Sequence, residues 1–357
     1  MMTDSEPAIA DVRTRLIRIP LSRPWGEDVT DIRVIAVTVV CDDGSQGHGF
    51  SWTPSIGATA VQAMLDEDLA PFLQGRPATT ELWDDSWAHL HEAGSGGVTT
   101  IALAGVDLAL WDRRARVRGT SVTEVLGRRH DRLPAYGSGV NLHYTLDELV
   151  AQAQRWVDSG YGAVKIKVGR PDLADDLDRV AAVRSVIGPD RRLLVDANQR
   201  WDLDTATRRV EALSAHGIGW IEEPLRSDDL AGHAELRRRV DVPIALGENV
   251  HTLHRFREFL DAGAVDVVQP NVIRVGGITP FLRIADLVRE RRMELAPHLL
   301  PDLSAQVAFA LPERSWIEDV EDAGFAHLGA LSEPAAVTVA DGWVTAAPAL
   351  GLGLRFR

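Results

Sequence analysis

The chain has 357 residues, 45% of them hydrophobic and 25% charged, so it can bury a large core and carries a length prior of about two domains. A net charge of −14 at pH 7 argues against a nucleic-acid partner, because phosphate binding draws on clustered Lys and Arg. It also means that an anionic ligand must be captured by local positive groups. The lone cysteine, Cys41, excludes an intrachain disulfide and a Cys-rich zinc site, which fits a cytoplasmic protein. No apolar run approaches the roughly 20 residues of a membrane helix, and the acidic start Met1-Met2-Thr3-Asp4-Ser5-Glu6-Pro7 lacks the apolar segment of a secretory signal.

In chain order, Ile9 to Pro20 alternate as a strand and Ile32 to Cys41 form a longer one. Between them Ser22-Arg23-Pro24-Trp25-Gly26-Glu27 reads as a polar loop with an exposed aromatic. Asp42-Asp43-Gly44-Ser45 reads as a hairpin turn into a third strand, Gly47 to Ser51. Helical patterns follow at Gly57 to Phe72, Thr80 to His91 and Val98 to Arg118, the last with a small-residue face around Ala102, Gly105 and Ala109. This α+β opening differs in kind from the rest.

From Leu133 the chain repeats strand then helix. Strands are predicted at 133–137, 163–168, 192–196, 219–222, 243–247, 265–268, 293–296 and 315–317, with amphipathic helices such as Leu146 to Ser159 and Leu173 to Ile187 between them. Eight strands with crossovers call for a closed parallel barrel. The last strand is followed by Gly- and Ala-rich turns and a β-like tail, Ala336 to Thr345, suited to packing back on the N-terminal part. The expected class is therefore α/β: a modified TIM barrel, (β/α)7β, spanning residues 129–325. Residues 1–128 would form an α+β capping domain, and 326–357 a C-terminal segment returning to it.

Three acids organise the barrel. Asp196 closes Leu193-Leu194-Val195-Asp196, Glu222 closes Gly219-Trp220-Ile221-Glu222, and Glu248 closes Ile244-Ala245-Leu246-Gly247-Glu248, each 26 residues after the one before. That interval holds a strand, a helix and two short loops, so the acids converge at the C-terminal mouth, where this architecture carries its chemistry. Three carboxylates aimed at one spot repel unless a hard cation sits among them, and oxygen-only ligands favour Mg²⁺. Residues two apart on a strand face one side, so Lys165 and Lys167 both point into the mouth, and Asp196 and Asn198 do likewise.

Lys165-x-Lys167, Asp196-x-Asn198, Glu222-Glu223-Pro224, Gly247-Glu248-Asn249 and Val275-Gly276-Gly277-Ile278, in this order, resemble the enolase superfamily in its mandelate racemase and acid-sugar dehydratase branch. The resemblance reaches the N-terminal part through Gly105-Val106-Asp107-Leu108-Ala109-Leu110-Trp111-Asp112. It implies Mg²⁺ held by Asp196, Glu222 and Glu248, with removal of a proton next to a carboxylate through an enediolate intermediate. Lys167 is then the base, its pKa lowered by Lys165 alongside. Glu318, after Trp316-Ile317, matches the acid that hydrogen-bonds the substrate carboxylate. His298, in Ala296-Pro297-His298-Leu299, matches the histidine on the opposite face. Its expected aspartate partner is Asn271, in Val268-Gln269-Pro270-Asn271, which can orient the ring but cannot stabilise an imidazolium as an anion would.

That departure favours elimination of water from a sugar acid, with Lys167 as base and His298 protonating the departing hydroxyl, over a two-base racemase or epimerase. A catalytically silent binding or scaffold protein is the rival from another class. The resemblance also implies a homo-oligomer, and the partner expected from the site is a small-molecule carboxylate. Trp25 and Trp52 fall in the two loops that close over the substrate in this family, although ordinary packing accounts for them equally well. Tyr136, Ser138, Asn141 and Asn198 are further candidate substrate contacts. His251 and His254, three apart, read as capping or surface residues, and Arg113 to Arg118 as a solvated helix end.

Overall fold

Alternating apolar residues near the N-terminus build an antiparallel sheet, β1 (Ile9–Trp25), β2 (Val29–Cys41) and β3 (Gln46–Thr53), in that order. The computed structural model describes residues 6–26 and 28–357. Met1 to Ser5 of the acidic start and Glu27 of the predicted first loop lie outside the described residues. That loop is largely strand: β1 runs to Trp25, which pairs with Val29 after an irregularity beyond Pro20. Trp25 is only partly exposed and meets Trp52 edge-on at 6.4 Å, contrary to the exposed aromatic expected.

Helices α1 (Ala58–Ala63), α2 (Ala70–Leu73), α3 (Leu82–His89), α4 (Val98–Val117) and α5 (Val122–Val125) complete this part. The first two are joined by a π-helical turn at Met64–Leu69. The α4 helix is buried along most of its length. Its small face permits this: Gly105 lies so close to Val37 and Ser51 that a Cβ there would fall within 2.7 Å of each.

Eight parallel strands follow, β4 (Arg132–Ser138), β5 (Ala163–Lys167), β6 (Arg192–Asp196), β7 (Ile218–Glu222), β8 (Ile244–Leu246), β9 (Val267–Val268), β10 (Glu294–Leu295) and β11 (Ile317–Val320). Between them run α6 (Leu146–Asp158), α7 (Leu173–Ile187), α8 (Leu203–Ser214), α9 (Leu230–Arg239), α10 (Leu253–Asp261), α11 (Ile278–Glu290) and α12 (Pro301–Ala308). This is the (β/α)7β order expected. Each strand from β4 to β9 pairs with the next, and β11 pairs with β4. Among the described residues no ladder joins β10 to β11. The strand β11 begins later than predicted, so Glu318 lies inside it, opposite Tyr136.

The tail divides its contacts. β12 (Val337–Ala340) and β13 (Trp343–Ala346) form a hairpin that pairs antiparallel with β4 of the barrel, where the sequence suggested packing on the N-terminal part. Residues beyond it do reach that part: Leu352 N–H donates to Asp112 on α4 at 2.7 Å, and Phe356 packs on Phe50 at 5.2 Å. No helix among the described residues is long and apolar enough to cross a membrane.

Five barrel helices begin at their own side-chain cap, Thr145, Asp172, Asp202, Asp229 or Thr252. The next, α11, starts after Gly277 with no such cap. Asp107 of α4 supplies it instead, accepting from Thr279 N–H at 3.0 Å and Thr279 Oγ1 at 2.5 Å. Gly277 has φ +115°, and a Cβ there would lie 2.3 Å from Asp107 Oδ2. Trp83 Nε1 donates to Gly276 O at 2.8 Å and Trp111 Nε1 to Thr279 Oγ1 at 3.0 Å. Two motifs far apart in the sequence thus form one joint between the sheet-and-helix part and the barrel.

Burial pushes the Asp107 carboxyl up to about 7, with hydrogen bonds from Thr279 and Ile278 opposing. The folded state then binds this proton more tightly than the unfolded chain does. The group's contribution is complete below about pH 4 and is lost as pH rises through 7. Asp107→Asn keeps an acceptor but cannot ionise. Between about pH 4 and pH 8 the wild type should lose about 2–4 kcal/mol more stability than the variant. Urea unfolding across that range checks this, and parallel profiles would contradict it.

Candidate active site

Strand alternation lays the site down in rows. Tyr136, Ala163, Leu194, Trp220, Ala245, Val267 and Ala296, one from each strand β4 to β10 or its end, form an apolar floor with Trp316 against it. Two residues further along come Ser138, Lys165, Asp196, Glu222, Gly247, Gln269, His298 and Glu318. The floor is apolar because it is sealed; the row above is polar because it meets the mouth. At the one glycine in that row the chain turns, with φ +144°, and a Cβ would sit 2.8 Å from the Gln269 backbone. Glu248, the residue after it, takes the place an inward side chain would have held.

These side chains form one buried network. Lys165 Nζ lies 2.8 and 2.9 Å from the Glu222 oxygens, 2.8 Å from Glu318 Oε1 and 3.8 Å from Asp196. Lys167 donates to Asp196, whose other oxygen accepts the Asn198 N–H at 2.8 Å. Gln269 Nε2 donates to Glu222 at 2.8 Å, and Ser138 Oγ to Glu318 at 2.7 Å. His298 Nε2 is 2.7 Å from Glu248 Oε2 and 3.7 Å from Glu318. The Lys167, Glu248 and His298 side chains keep 11% of their surface open, whereas Lys165, Asp196, Glu222 and Glu318 keep at most 2%. An entering molecule therefore meets the first three.

Burial pushes Glu222 up to about 7, with Lys165 opposing and the neighbouring acids reinforcing. Burial acts against ionisation of Glu248 too, but His298, Lys167 and Arg274 together hold it well below the usual carboxylate range. Lys165 is penalised by burial, yet Glu222 and Glu318 raise it well above its ordinary value, so it stays charged.

Some expectations need correction. Burial and Lys165 pull Lys167 down, but Asp196, with Glu248 and Glu222 behind it, outweighs them and holds the ammonium above its ordinary value. Glu318 accepts from Ser138, Lys165 and the Leu299 N–H (2.9 Å). Although burial disfavours its charge, Lys165 chiefly brings it to about 2, so in this arrangement it is an anion. Tyr136 is fully buried in the floor beside Trp220, with Lys165 Nζ 5.7 Å from its ring, beneath any substrate. Asn141 is committed to Gln152 and the Lys167 N–H. Asn198 has φ +44° and folds back on Asp196, beyond the reach of strand alternation, but is exposed at the mouth. Trp25 and Trp52 line one crevice with Leu299 and Leu300, the residues after His298.

Gln269 was missed, although its place two residues after Val267 was a readable signal. Glu223, held by Gln199 (2.8 Å) and Asn249 (2.9 and 3.0 Å), was read only as part of a motif. Glu222, Glu248 and His298 bring ligand atoms within 4.8 Å of one another. Asp196, the third acid of the sequence set, pairs in register with Glu222 but turns its side chain to Lys167.

Two family models cover the chain: the mandelate racemase / muconate lactonizing enzyme N-terminal domain over residues 9–127, and the enolase C-terminal domain-like family over residues 148–357. The chain belongs to the mandelate racemase/muconate lactonizing enzyme family. Within it, the chain is 38% identical over 352 residues to a 3,6-anhydro-alpha-L-galactonate cycloisomerase of Streptomyces coelicolor, covering 97% of this chain and 96% of that one. It is 33% identical to an L-talarate/galactarate dehydratase of Salmonella typhimurium, over 87% and 81% of the two chains. Among solved structures, a racemase from Streptomyces coelicolor A3(2) with bound magnesium matches with TM-score 0.91 and 37% identity, over 98% and 97%. An L-talarate dehydratase from Polaromonas sp. JS666, complexed with Mg and L-glucarate, matches with TM-score 0.88 and 34% identity, over 99% and 96%.

In this family member Gly247→Ala should cost about 2 kcal/mol or more in urea unfolding, because an L side chain is strained at that φ and meets the Gln269 backbone. By displacing Glu248 it should also weaken Mg²⁺ binding by about tenfold or more in calorimetry. Wild-type values for both would show that the turn tolerates a side chain.

Proposed function

We propose that this enzyme removes the proton next to the carboxylate of a sugar acid, forms an enediolate, and expels the oxygen on the β-carbon to give a 2-keto acid. The leaving oxygen is either a free hydroxyl, which makes the reaction a dehydration, or one end of an internal ether, which makes it a ring-opening isomerisation. A dehydratase at 33% identity and a cycloisomerase at 38% stand among the relatives. The observation that carries this reading is the placement of Lys167 and His298. They sit at the end of β5 and just beyond β10, strands separated by two others one way round the barrel and four the other way, so they face each other across the acid cluster.

The donor set suits a hard cation. Glu222 and Glu248 are already within ligand distance of each other, and Asp196 is the next strand's acid in register. Three oxygen donors fit Mg²⁺. When bound, Mg²⁺ supplies positive charge to the enediolate and leaves positions for substrate oxygens.

Lys167 takes the α-proton. Asp196, Glu248 and Glu222 favour its ammonium; a cation held by those three acids would offset them, while burial and Lys165 favour the free amine. Lys165, anchored by Glu318 and Glu222, offers a fixed positive charge to the substrate carboxylate. His298 Nε2 faces the reacting carbon from the other wall. Trp25 and Trp52, against Leu299 and Leu300, close that side to water.

Incubating the protein with Mg²⁺ and a sugar-acid library, then trapping 2-keto acid, tests the reading. Exchange of the α-proton into D₂O without keto acid would favour a racemase or epimerase. No exchange, no keto acid and no Mg²⁺ affinity would favour the scaffold reading. Lys167→Ala should lower turnover by about 10³-fold while leaving Mg²⁺ affinity unchanged in calorimetry. Loss of metal binding in that variant would remove Lys167 from the base role.

A further inference from the structure

Asn271 and His298 form a set of hydrogen bonds whose donor and acceptor ends are fixed by backbone groups. Asn271 Oδ1 accepts from the N–H of Ile273 at 3.0 Å and of Arg274 at 3.1 Å. Its Nδ2 lies 3.4 Å from the His298 carbonyl oxygen and 3.1 Å from His298 Nδ1. Turning the amide over would set NH₂ against two N–H donors and oxygen against a carbonyl, so only one orientation satisfies the partners. The NH₂ group then donates to the carbonyl and to Nδ1, and Nδ1 must be bare. The ring proton is left for Nε2, which faces an acceptor, Glu248 Oε2, at 2.7 Å.

We infer that Asn271 is a positioning residue that fixes His298 as the Nε2–H tautomer, so that His298 meets a substrate oxygen as a hydrogen-bond donor and not as a base. The single lone pair of the ring faces Asn271, which is fully buried in the wall, and none is directed into the cavity. A second proton on Nδ1 would confront the Asn271 NH₂, donor against donor. The sequence reading of His298 as the acid that protonates a departing hydroxyl is therefore replaced: neutral Nε2–H can stabilise charge on that oxygen but does not give up its proton. Acid–base work falls to Lys167, on one face only: it takes the α-proton, and the ammonium so formed gives a proton to the departing oxygen.

An aspartate of the same shape would reverse the wall. One carboxylate oxygen would keep the Ile273 and Arg274 bonds, the other would take a proton-bearing Nδ1, and Nε2 would turn a lone pair to the cavity. The choice of amide over carboxylate at residue 271 thus separates one-face elimination from two-base inversion. This assignment rests on the elimination reading above for its chemical consequence, though the tautomer itself does not.

Long-range ¹H–¹⁵N correlation on the full chain, labelled with ¹⁵N-histidine and loaded with Mg²⁺, reads the tautomer directly, with His298 identified by its loss in His298→Asn. The expected result is a protonated-type shift at Nε2 and a bare-type shift at Nδ1, reversed in Asn271→Asp. A wild-type ring with its proton on Nδ1 overturns the inference, even if the variant does not fold, as does an Asn271→Asp spectrum without reversal. In D₂O with a turned-over sugar acid, substrate recovered from the wild type should carry deuterium at the α-carbon with its configuration retained, and Asn271→Asp should raise α-epimer formation by about 10²-fold. Equal entry from both faces in the wild type would also overturn it. An Nε2–H ring in a protein that yields no keto acid would leave the tautomer standing and remove the elimination reading.

Discussion

Buried negative charge at one end of the barrel is the constraint on which the other features depend. Asp196, Glu222, Glu223, Glu248 and Glu318 are all nearly sealed from water, where unpaired carboxylates are costly. Lys165 and Lys167 answer part of that charge, and amide groups from Gln269, Gln199 and Asn249 solvate more of it. The remaining excess appears as the upward displacement of Glu222. A site of this kind is unsatisfied without a cation and, with one, is preorganised to hold an anion beside it.

The rows of the barrel explain why the charge can be held there. An apolar floor of Tyr136, Trp220 and smaller residues seals the interior below, so the polar row above is fixed by packing on one side and reachable from the other. The tryptophan pair on the N-terminal sheet lies against the residues that follow His298. The joint at Asp107 and Gly277, in turn, holds that sheet and its helices on the barrel. Chemistry, floor and cover are therefore mechanically continuous, and the motifs that run through the chain mark their contacts.

Asn271 shows how narrow the margin between related chemistries is. The surrounding backbone dictates which end of the amide faces the imidazole, and the imidazole proton follows. An amide and a carboxylate have nearly the same size and shape at that position; they differ by one negative charge and, with it, by the direction of one hydrogen bond.

The sequence by itself determined the barrel, its strand and helix intervals, and the row of acids and lysines, because periodicity of two and the repeat of 26 residues are local properties of the chain. It also exposed Asn271 as the departure that matters. Only the tertiary structure decided what those residues do to each other. That Asp196 holds Lys167, that Glu318 is an anion under Lys165, that Tyr136 is floor and not wall, and that Gly277 makes room for Asp107 all depend on distances between segments far apart in sequence. The pKa of a lysine and the tautomer of a histidine are set by neighbours within a few ångströms, and no pattern along a single chain records those neighbours.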